Sequence, residues 1–320
     1  MEPEGSPAFF CFERSFIMSS PSVSSQASPV FLATVCYIVW GFAPLAYLPL
    51  AHYGAGPVEI MAHRSVWALL CAGGLVWVTR QGPEVRRLLS QPRVALTLCA
   101  SATLIALNWG VFVWAVTNGH MLESALGYYL NPLLNMAAGA VLFRERLDGF
   151  GKAAIALAVI GVAIQTVALG HMPYISLTLA LTFAAYGIIR KQLEVSALGG
   201  LFVECLVLVV PSLAYLLWSE GAGQGHFLGG PVHMFWFILT GPVTVLPLFL
   251  FAYVARRLPL STMGFIQFLA PTIAFGIGLA MGEPFSILRG VSFAIIWLGA
   301  GVFAFGAWRR FRQIRPRAPV

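Results

Sequence analysis

Among the ionisable side chains inside long apolar segments of this sequence, four are candidates for a proton or charge site. Glu59, His63 and Arg64 stand together in the second such segment, and Glu204 stands in the seventh. A charge in lipid costs several kcal/mol unless it is paired or hydrated, so each of these residues is a functional candidate. Glu59 and His63 are four residues apart and share a helix face, whereas Arg64 lies about 140° round the helix from Glu59.

Two interpretations of these residues remain open. The first three could form a polar cluster at the outer end of their segment that binds substrate or a proton, or an ion pair that joins two helices. For Arg64 the structural role is favoured. Glu204 has no cation near it in sequence. It could carry a proton, but the favoured interpretation is that the inner end of its segment meets water.

A second set of candidates consists of amides and aromatic rings, most of them near Pro132. Amides in lipid usually join helices, and aromatic rings usually pack or lie at the membrane interface. A proline, however, breaks the helical hydrogen bonds and leaves carbonyl groups that could face a ligand. We therefore expect several of this set to line a substrate pathway: Trp40, Asn108, Trp109, Tyr128, Tyr129, Asn131, Asn135 and Gln267.

The composition identifies the solvent of these segments as lipid. Hydrophobic residues make up 59% of the 320 residues and charged residues only 10%, against about 25% charged in a soluble domain. The net charge of +7 comes from short basic clusters between apolar runs, so we expect no nucleic-acid partner. The five cysteines form no CxxC pair, and neither a metal site nor a cofactor is predicted.

Apolar runs of about 20 residues predict transmembrane helices. Ten occur, so the predicted fold is an all-α membrane protein with ten transmembrane helices. Residues 1–28 are predicted to be a disordered tail without a cleavable signal, and residues 1–17 favour a translation start at Met18. Residues 309–320 form a basic tail. The predicted spans are 29–51, 57–79, 93–116, 119–142, 150–169, 173–189, 198–218, 232–255, 259–281 and 286–308.

The basic residues give an independent test of this topology. All Lys and Arg residues except Arg64 and Arg289 fall on one side of a ten-span arrangement, as the positive-inside rule requires. Both termini are therefore predicted to be cytoplasmic, in a multi-pass protein of a plasma membrane of bacterial type.

The fourth and ninth spans resemble one another. Each begins with a Ser and a nearby Gly, carries a central proline (Pro132 and Pro271) and ends in a glutamate (Glu145 and Glu283). Five spans in each half reverse the direction of the second half, which predicts two inverted five-helix repeats at residues 29–169 and 173–308. Transporters of this kind bind substrate between the repeats near the membrane midplane.

Several longer motifs resemble the RarD branch of the EamA family, within the drug/metabolite transporter superfamily. They are Asn108–Trp109 followed by WAVTNGHMLESALGYYLNPLLN (114–135), VWGFAP (39–44), EIMAHR (59–64), AAYGIIRK (184–191) and the ninth span. The resemblance covers roughly residues 30–310 and implies ten spans, two five-helix repeats and movement of metabolites or drugs, usually outward. The related small multidrug exporters couple transport to protons through a glutamate in the first span, which has no acidic residue here.

The expected function is therefore a transporter that exports small metabolites or drugs by alternating access. A passive facilitator or channel remains an alternative, because no coupling residue is identified. A membrane-embedded enzyme is a weaker one. Asp148 is the single aspartate, and no GxxxxGK[ST], HExxH or GxSxG motif occurs, so no catalytic residue is predicted. The expected partners are a small-molecule substrate and the lipid bilayer; a monomer fits the sequence, which does not fix the oligomeric state.

Overall fold

Apolar segments in lipid must satisfy their own backbone hydrogen bonds, and in this protein they do so as helices. The computed structural model describes residues 23–142, 148–255, 257–258 and 266–314, and within these ranges it contains helices and turns but no strand. In chain order the helices are α1 (Val23–Phe42), α2 (Leu48–His52), α3 (Pro57–Val78), α4 (Gly82–Ser90), α5 (Pro92–Thr117), α6 (Met121–Leu142), α7 (Gly149–Leu169), α8 (Tyr174–Gln192), α9 (Ala197–Gly221), α10 (Pro231–Ala255), α11 (Leu269–Ala280) and α12 (Ile287–Ile314), with 3₁₀ turns at Ala43–Ala46 and Phe227–Gly229.

The lengths of the helices confirm an all-helical membrane protein. A helix of 22 residues, such as α3, is about 33 Å long, which matches a hydrocarbon layer of about 30 Å. The shorter apolar segments are Tyr174–Arg190 and Leu269–Ala280. Seven helical segments of the described residues are long and apolar enough to cross a membrane: Pro29–His52, Pro57–Val78, Pro92–Thr117, Gly149–Leu169, Ala197–Gly221, Pro231–Phe251 and Ile287–Gly306.

The helices pack around two large apolar cores. In the first, α3, α5 and α9 surround small residues such as Ala68 and Ala72 together with Leu98. In the second, α6, α7, α11 and α12 meet around large rings, including Phe275 and Phe293. Helix α3, at the edge of the first core, packs extensively against both α9 and α10. The charged residues of α3 therefore lie inside the bundle.

Glycines set the closest helix contacts. A Cβ atom at Gly241 of α10 would lie 2.6 Å from the carbonyl group of Trp67 in α3, which is closer than non-bonded atoms can approach. A Cβ atom at Gly127 of α6 would lie 2.8 Å from the Ser176 carbonyl oxygen in α8. Only glycine fits both places, as is common where membrane helices touch along their backbones.

Several boundaries differ from those predicted from the sequence. Helix α1 begins at Val23, so residues 23–28 of the predicted tail are helical. The first predicted span is divided into α1, a 3₁₀ turn and α2, with Pro44 in the turn and Pro49 in the first turn of α2; proline cannot supply the amide that a continuous helix needs. Helix α12 continues to Ile314, into the predicted basic tail. The motif around Glu145 lies outside the described residues.

Candidate functional site

Glu59 is bound by a residue that the sequence analysis did not select. Its side chain is 2% exposed. One carboxylate oxygen accepts a hydrogen bond from the His226 backbone amide at 2.7 Å, and the other lies 2.8 Å from Nδ1 of the same histidine. His226 stands between α9 and α10, so the carboxylate ties the start of α3 to a loop far along the chain. The histidine that shares a helix face with Glu59 is not its partner.

His63 packs as an aromatic ring instead. It stacks on Phe227 with the ring centroids 4.8 Å apart, and it lies 4.2 Å from the Phe237 centroid. Its Nε2 atom is buried without a hydrogen-bond partner among the described residues, as is Nε1 of Trp67 one turn further on. His63 and Glu59 therefore contact neighbouring residues of one short segment, Phe227 and His226, the first by ring stacking and the second by hydrogen bonds.

Arg64 points into the interior of the bundle. Its side chain is buried, its Nε donates to the Thr244 hydroxyl of α10 at 2.8 Å, and its guanidinium carbon lies 4.0 Å above the Trp109 ring of α5. The Tyr47 ring is 5.7 Å away. Nη1 is buried and has no acceptor in the described part of the chain. The arginine is thus held by a neutral hydroxyl and by aromatic faces.

Around Arg64 the structure gathers what we call the Arg64 cluster: Tyr47, Arg64, Trp109, Phe112, Tyr128 and Thr244. The Phe112 ring meets Tyr47 at 6.2 Å and Tyr128 at 5.5 Å between centroids. Tyr128 is half-buried and is flanked by the rings of Phe112 and Phe183. Aromatic rings from α5, α6 and the segment before α2 therefore meet beside Arg64.

Asn108 joins helices next to the cluster. Its Nδ2 donates to the Leu179 carbonyl at 2.8 Å and to the Thr182 hydroxyl at 2.9 Å, while its Oδ1 accepts from Tyr128 at 3.1 Å. Because both ends of the amide are occupied, Asn108 positions Tyr128 and links α5, α6 and α8. This is the usual role of an amide between membrane helices.

The remaining aromatic and amide candidates lie elsewhere. The Tyr129 hydroxyl is 2.6 Å from that of Thr272 in α11, and its ring packs near Trp297. Trp40 packs on Tyr37 and Phe251. Asn131 is buried, and its Oδ1 has no partner among the described residues. Gln267 lies two residues before α11 and is half-buried. The side chain of Asn135 lies outside the described residues.

Glu204 does not meet water, contrary to the favoured interpretation of the sequence. It is 1% exposed and accepts hydrogen bonds from the Ser101 hydroxyl and, at 3.2 Å, from the Tyr186 hydroxyl. Nη1 of Arg190 lies 3.6 Å from its carboxylate. Sequence analysis assigned Arg190 to membrane topology alone, because it stands in a basic pair at the end of a span. Arg190 stands near the end of α8 and Glu204 within α9, so the ion pair depends on how the chain turns between these two consecutive helices.

A further carboxylate joins the end of α11 to the start of α6. Glu283, just after α11, accepts hydrogen bonds from the backbone amides of Met121 at 2.5 Å and Leu122 at 2.8 Å. These are the first amides of α6, so the carboxylate caps that helix and meets the positive end of its dipole. His120 lies 3.2 Å from Glu123 in the same turn. The described residues contain no group of three His, Cys, Asp or Glu side chains that could hold a metal ion.

The chain is similar to several known proteins. Residues 27–167 match the EamA-like transporter family. The chain is 42% identical to an uncharacterized transporter of Pseudomonas aeruginosa, over 88% of this chain and 95% of that protein. It is 37% identical to protein RarD of Escherichia coli, over 87% and 94%, and 31% identical to a chloramphenicol-sensitive protein RarD of Pseudomonas aeruginosa, over 82% and 88%. One solved crystal structure has the same fold, with a TM-score of 0.56 at 18% identity over 88% of this chain and 98% of that one.

Proposed function

Because this chain belongs to the RarD branch of the EamA-like transporter family and is a multi-pass membrane transporter, we propose that it exports small metabolites or drugs by alternating access. The observation that carries the proposal is the Arg64 cluster. A charged side chain held between α3, α5 and α10, inside apolar helices, is costly for stability alone and suits a site for a polar solute.

The proposed fold has ten spans in two inverted repeats, with α1, α3, α5, α6 and α7 corresponding to α8, α9, α10, α11 and α12. The helix contacts support this correspondence. α3 packs on α10 as α9 packs on α5, and α5 packs on α8 as α10 packs on α1. α6 packs on α8 as α11 packs on α1, while α3–α9 and α7–α12 each join a helix to its own counterpart. A two-fold relation between the halves accounts for all of these pairs at once.

Two carboxylates define the outer closure of this proposed carrier. Glu59 of the first half binds His226 of the second, and Glu283 of the second half binds the start of α6 in the first. Both contacts connect the two proposed repeats at the end opposite the basic loops. Access from outside would require both contacts to separate, so this conformation corresponds to a closed outer side. In this proposal the protein lies in a bacterial inner membrane with both termini on the cytoplasmic side.

Transport in proteoliposomes tests the proposal. The purified chain would be reconstituted and given radiolabelled chloramphenicol, amino acids or organic acids, with and without an imposed proton gradient. Gradient-driven accumulation of one compound is the expected result. Equilibration that ignores the gradient would indicate a facilitator instead, and no movement of any compound would refute transport of these classes.

A cross-link tests alternating access directly. Gly278 and Leu122 touch across the outer closure, because a Cβ atom at position 278 would lie 3.0 Å from the Leu122 side chain. In a chain with its native cysteines replaced by serine, a short bifunctional thiol reagent should lock the Leu122→Cys, Gly278→Cys pair and stop transport. Each single substitution treated in the same way is the control and should remain active. Full transport in the locked pair would contradict the mechanism.

A further inference from the structure

We propose that the substrate is an organic anion, a carboxylate or a similar oxyanion on an aromatic or apolar body, and that Arg64 binds its anionic group. This inference rests on the proposed transport function and adds the chemical class of the substrate. It begins from an imbalance of charge. Arg64 is 6% exposed, and no carboxylate of the described residues lies within ion-pairing distance of it.

The hydrogen bonds of Arg64 leave a donor free. Nε binds a neutral hydroxyl, that of Thr244, which in turn donates to the Thr240 carbonyl. Nη1 is buried and has no acceptor among the described residues. A guanidinium group stays charged and offers a planar fork of donors that matches the two oxygens of a carboxylate. The geometry therefore provides a positive, directional donor for which the described residues offer no matching acceptor.

The neighbouring acids do not supply that acceptor. Glu59, in the same helix, has both oxygens on His226. Glu204 has its oxygens on Ser101 and Tyr186, with Arg190 beside them. Among the described residues, a substrate ammonium group would thus find no available carboxylate near Arg64. The Trp109 face is already covered by the guanidinium. This balance favours a net anion over a zwitterion or a cation.

The aromatic residues beside Arg64 indicate the chemical nature of the rest of the substrate. The Tyr47 ring lies 5.7 Å from the guanidinium carbon. Phe112 packs on both Tyr47 and Tyr128, and Phe112 and Tyr128 are half-buried. An aromatic or apolar group attached to the anion would pack on these rings. Arg64 belongs to the first proposed repeat and Thr244 to the second, so the anion would lie between the halves, where rearrangement of the helices can expose it to either side.

Binding to the wild-type chain is the first test. Thermal unfolding of the purified, detergent-solubilised protein would be followed with benzoate, its neutral isostere benzamide, the cation benzylamine and the zwitterion phenylalanine. Benzoate should raise the unfolding temperature, with an apparent affinity roughly tenfold or more above that of benzamide, since a hydrogen bond to a charged group is lost in the amide. Equal or tighter binding of benzamide, benzylamine or phenylalanine would overturn the inference.

Substitutions then assign the preference to Arg64. Arg64→Met should abolish the difference between benzoate and benzamide, and Arg64→Lys should keep part of it because the charge remains. Arg190→Met is the matched control: it removes the other arginine that reaches into the bundle, and it should keep the preference for benzoate even if the protein unfolds at a lower temperature. A preference that survives in Arg64→Met, or disappears only in Arg190→Met, would refute the assignment.

Two outcomes separate this inference from the proposed function. If proteoliposomes carry neutral or cationic compounds while benzoate neither binds nor competes, transport stands and the anion site is refuted. If benzoate binds through Arg64 but no compound crosses the membrane, the site stands and the transport proposal fails. Should Arg64→Met not fold, the comparison of the four probes on the wild-type chain still decides the question.

Discussion

The ion pair between Arg190 and Glu204 permits a quantitative prediction. At the observed 3.6 Å, two unit charges in a medium with an effective dielectric constant of about 20 attract one another by about 5 kcal/mol. Desolvation of both groups cancels much of this gain. Arg190→Met removes the attraction but leaves the carboxylate buried, with two hydroxyl donors from the described residues to compensate it. We therefore expect this substitution to lower the free energy of unfolding by about 3 kcal/mol.

A double-mutant cycle separates the pair from its surroundings. Glu204→Gln removes the buried charge. Its amide oxygen can still accept from one of the two hydroxyls that bind Glu204, those of Ser101 and Tyr186, while the other hydroxyl must turn to accept from the amide NH2 group. Adding Glu204→Gln to Arg190→Met should therefore recover most of the loss and give a coupling energy of about 2 kcal/mol. The free energy of unfolding would be measured by titration with a denaturing detergent. A loss below about 1 kcal/mol in Arg190→Met, or strictly additive effects, would refute the buried-pair argument.

Three further predictions concern helix contacts. Gly241→Ala should destabilise the protein by about 1–3 kcal/mol because the methyl group meets the α3 backbone. The control is Gly74→Ala, whose methyl group meets nothing within 4 Å and which should be neutral or stabilising in the same unfolding assay. Equal effects of the two substitutions would contradict the packing argument. Glu283→Gln should weaken the cap of α6 by about 1 kcal/mol. The rate at which a thiol reagent labels a cysteine at position 122 from the outer side should then rise about fivefold. An unchanged rate of labelling would contradict this role of Glu283. Tyr129→Phe should lower the free energy of unfolding by about 1 kcal/mol, because the hydrogen bond with Thr272 is lost. Tyr129→Ala should lower it by about 3–5 kcal/mol and reduce the amount of protein in the membrane. A mild effect of the alanine substitution would show that the ring does not pack as described.

Local patterns predicted the helices and part of the site. The 3.6-residue period placed Arg64 on a different face of α3 from Glu59, and the two residues do have different partners, Thr244 of α10 and His226 of the preceding loop. The prolines at positions 44 and 49 are visible in the sequence, yet the run was interpreted as one span because hydropathy outweighed them. The resemblance to the RarD branch of the EamA family is confirmed by relatives over most of the chain.

The partners of the charged residues could not be predicted in this way. His226 and Thr244 lie 167 and 180 residues from the α3 side chains that they bind. Neither has a local signature: one stands in a short loop, and the other is an ordinary hydroxyl residue in an apolar helix. Their contacts depend on α3 and α10 being adjacent, which is a property of the assembled bundle. The position of each candidate along its helix was readable, but the residue that it faces was not.

The separation between Arg64 and Thr244 also has a consequence for biosynthesis. A ribosome adds about 5–20 residues per second, so the 180 residues between them take on the order of ten to forty seconds to synthesise. During that interval α3 is in or near the membrane with a charged side chain whose insertion costs about 2.5–3.5 kcal/mol on a translocon scale. Arg64 therefore gains its hydrogen-bond partner, Thr244, only after α10 has been synthesised. The packing of the bundle around Arg64 is accordingly completed late in biosynthesis.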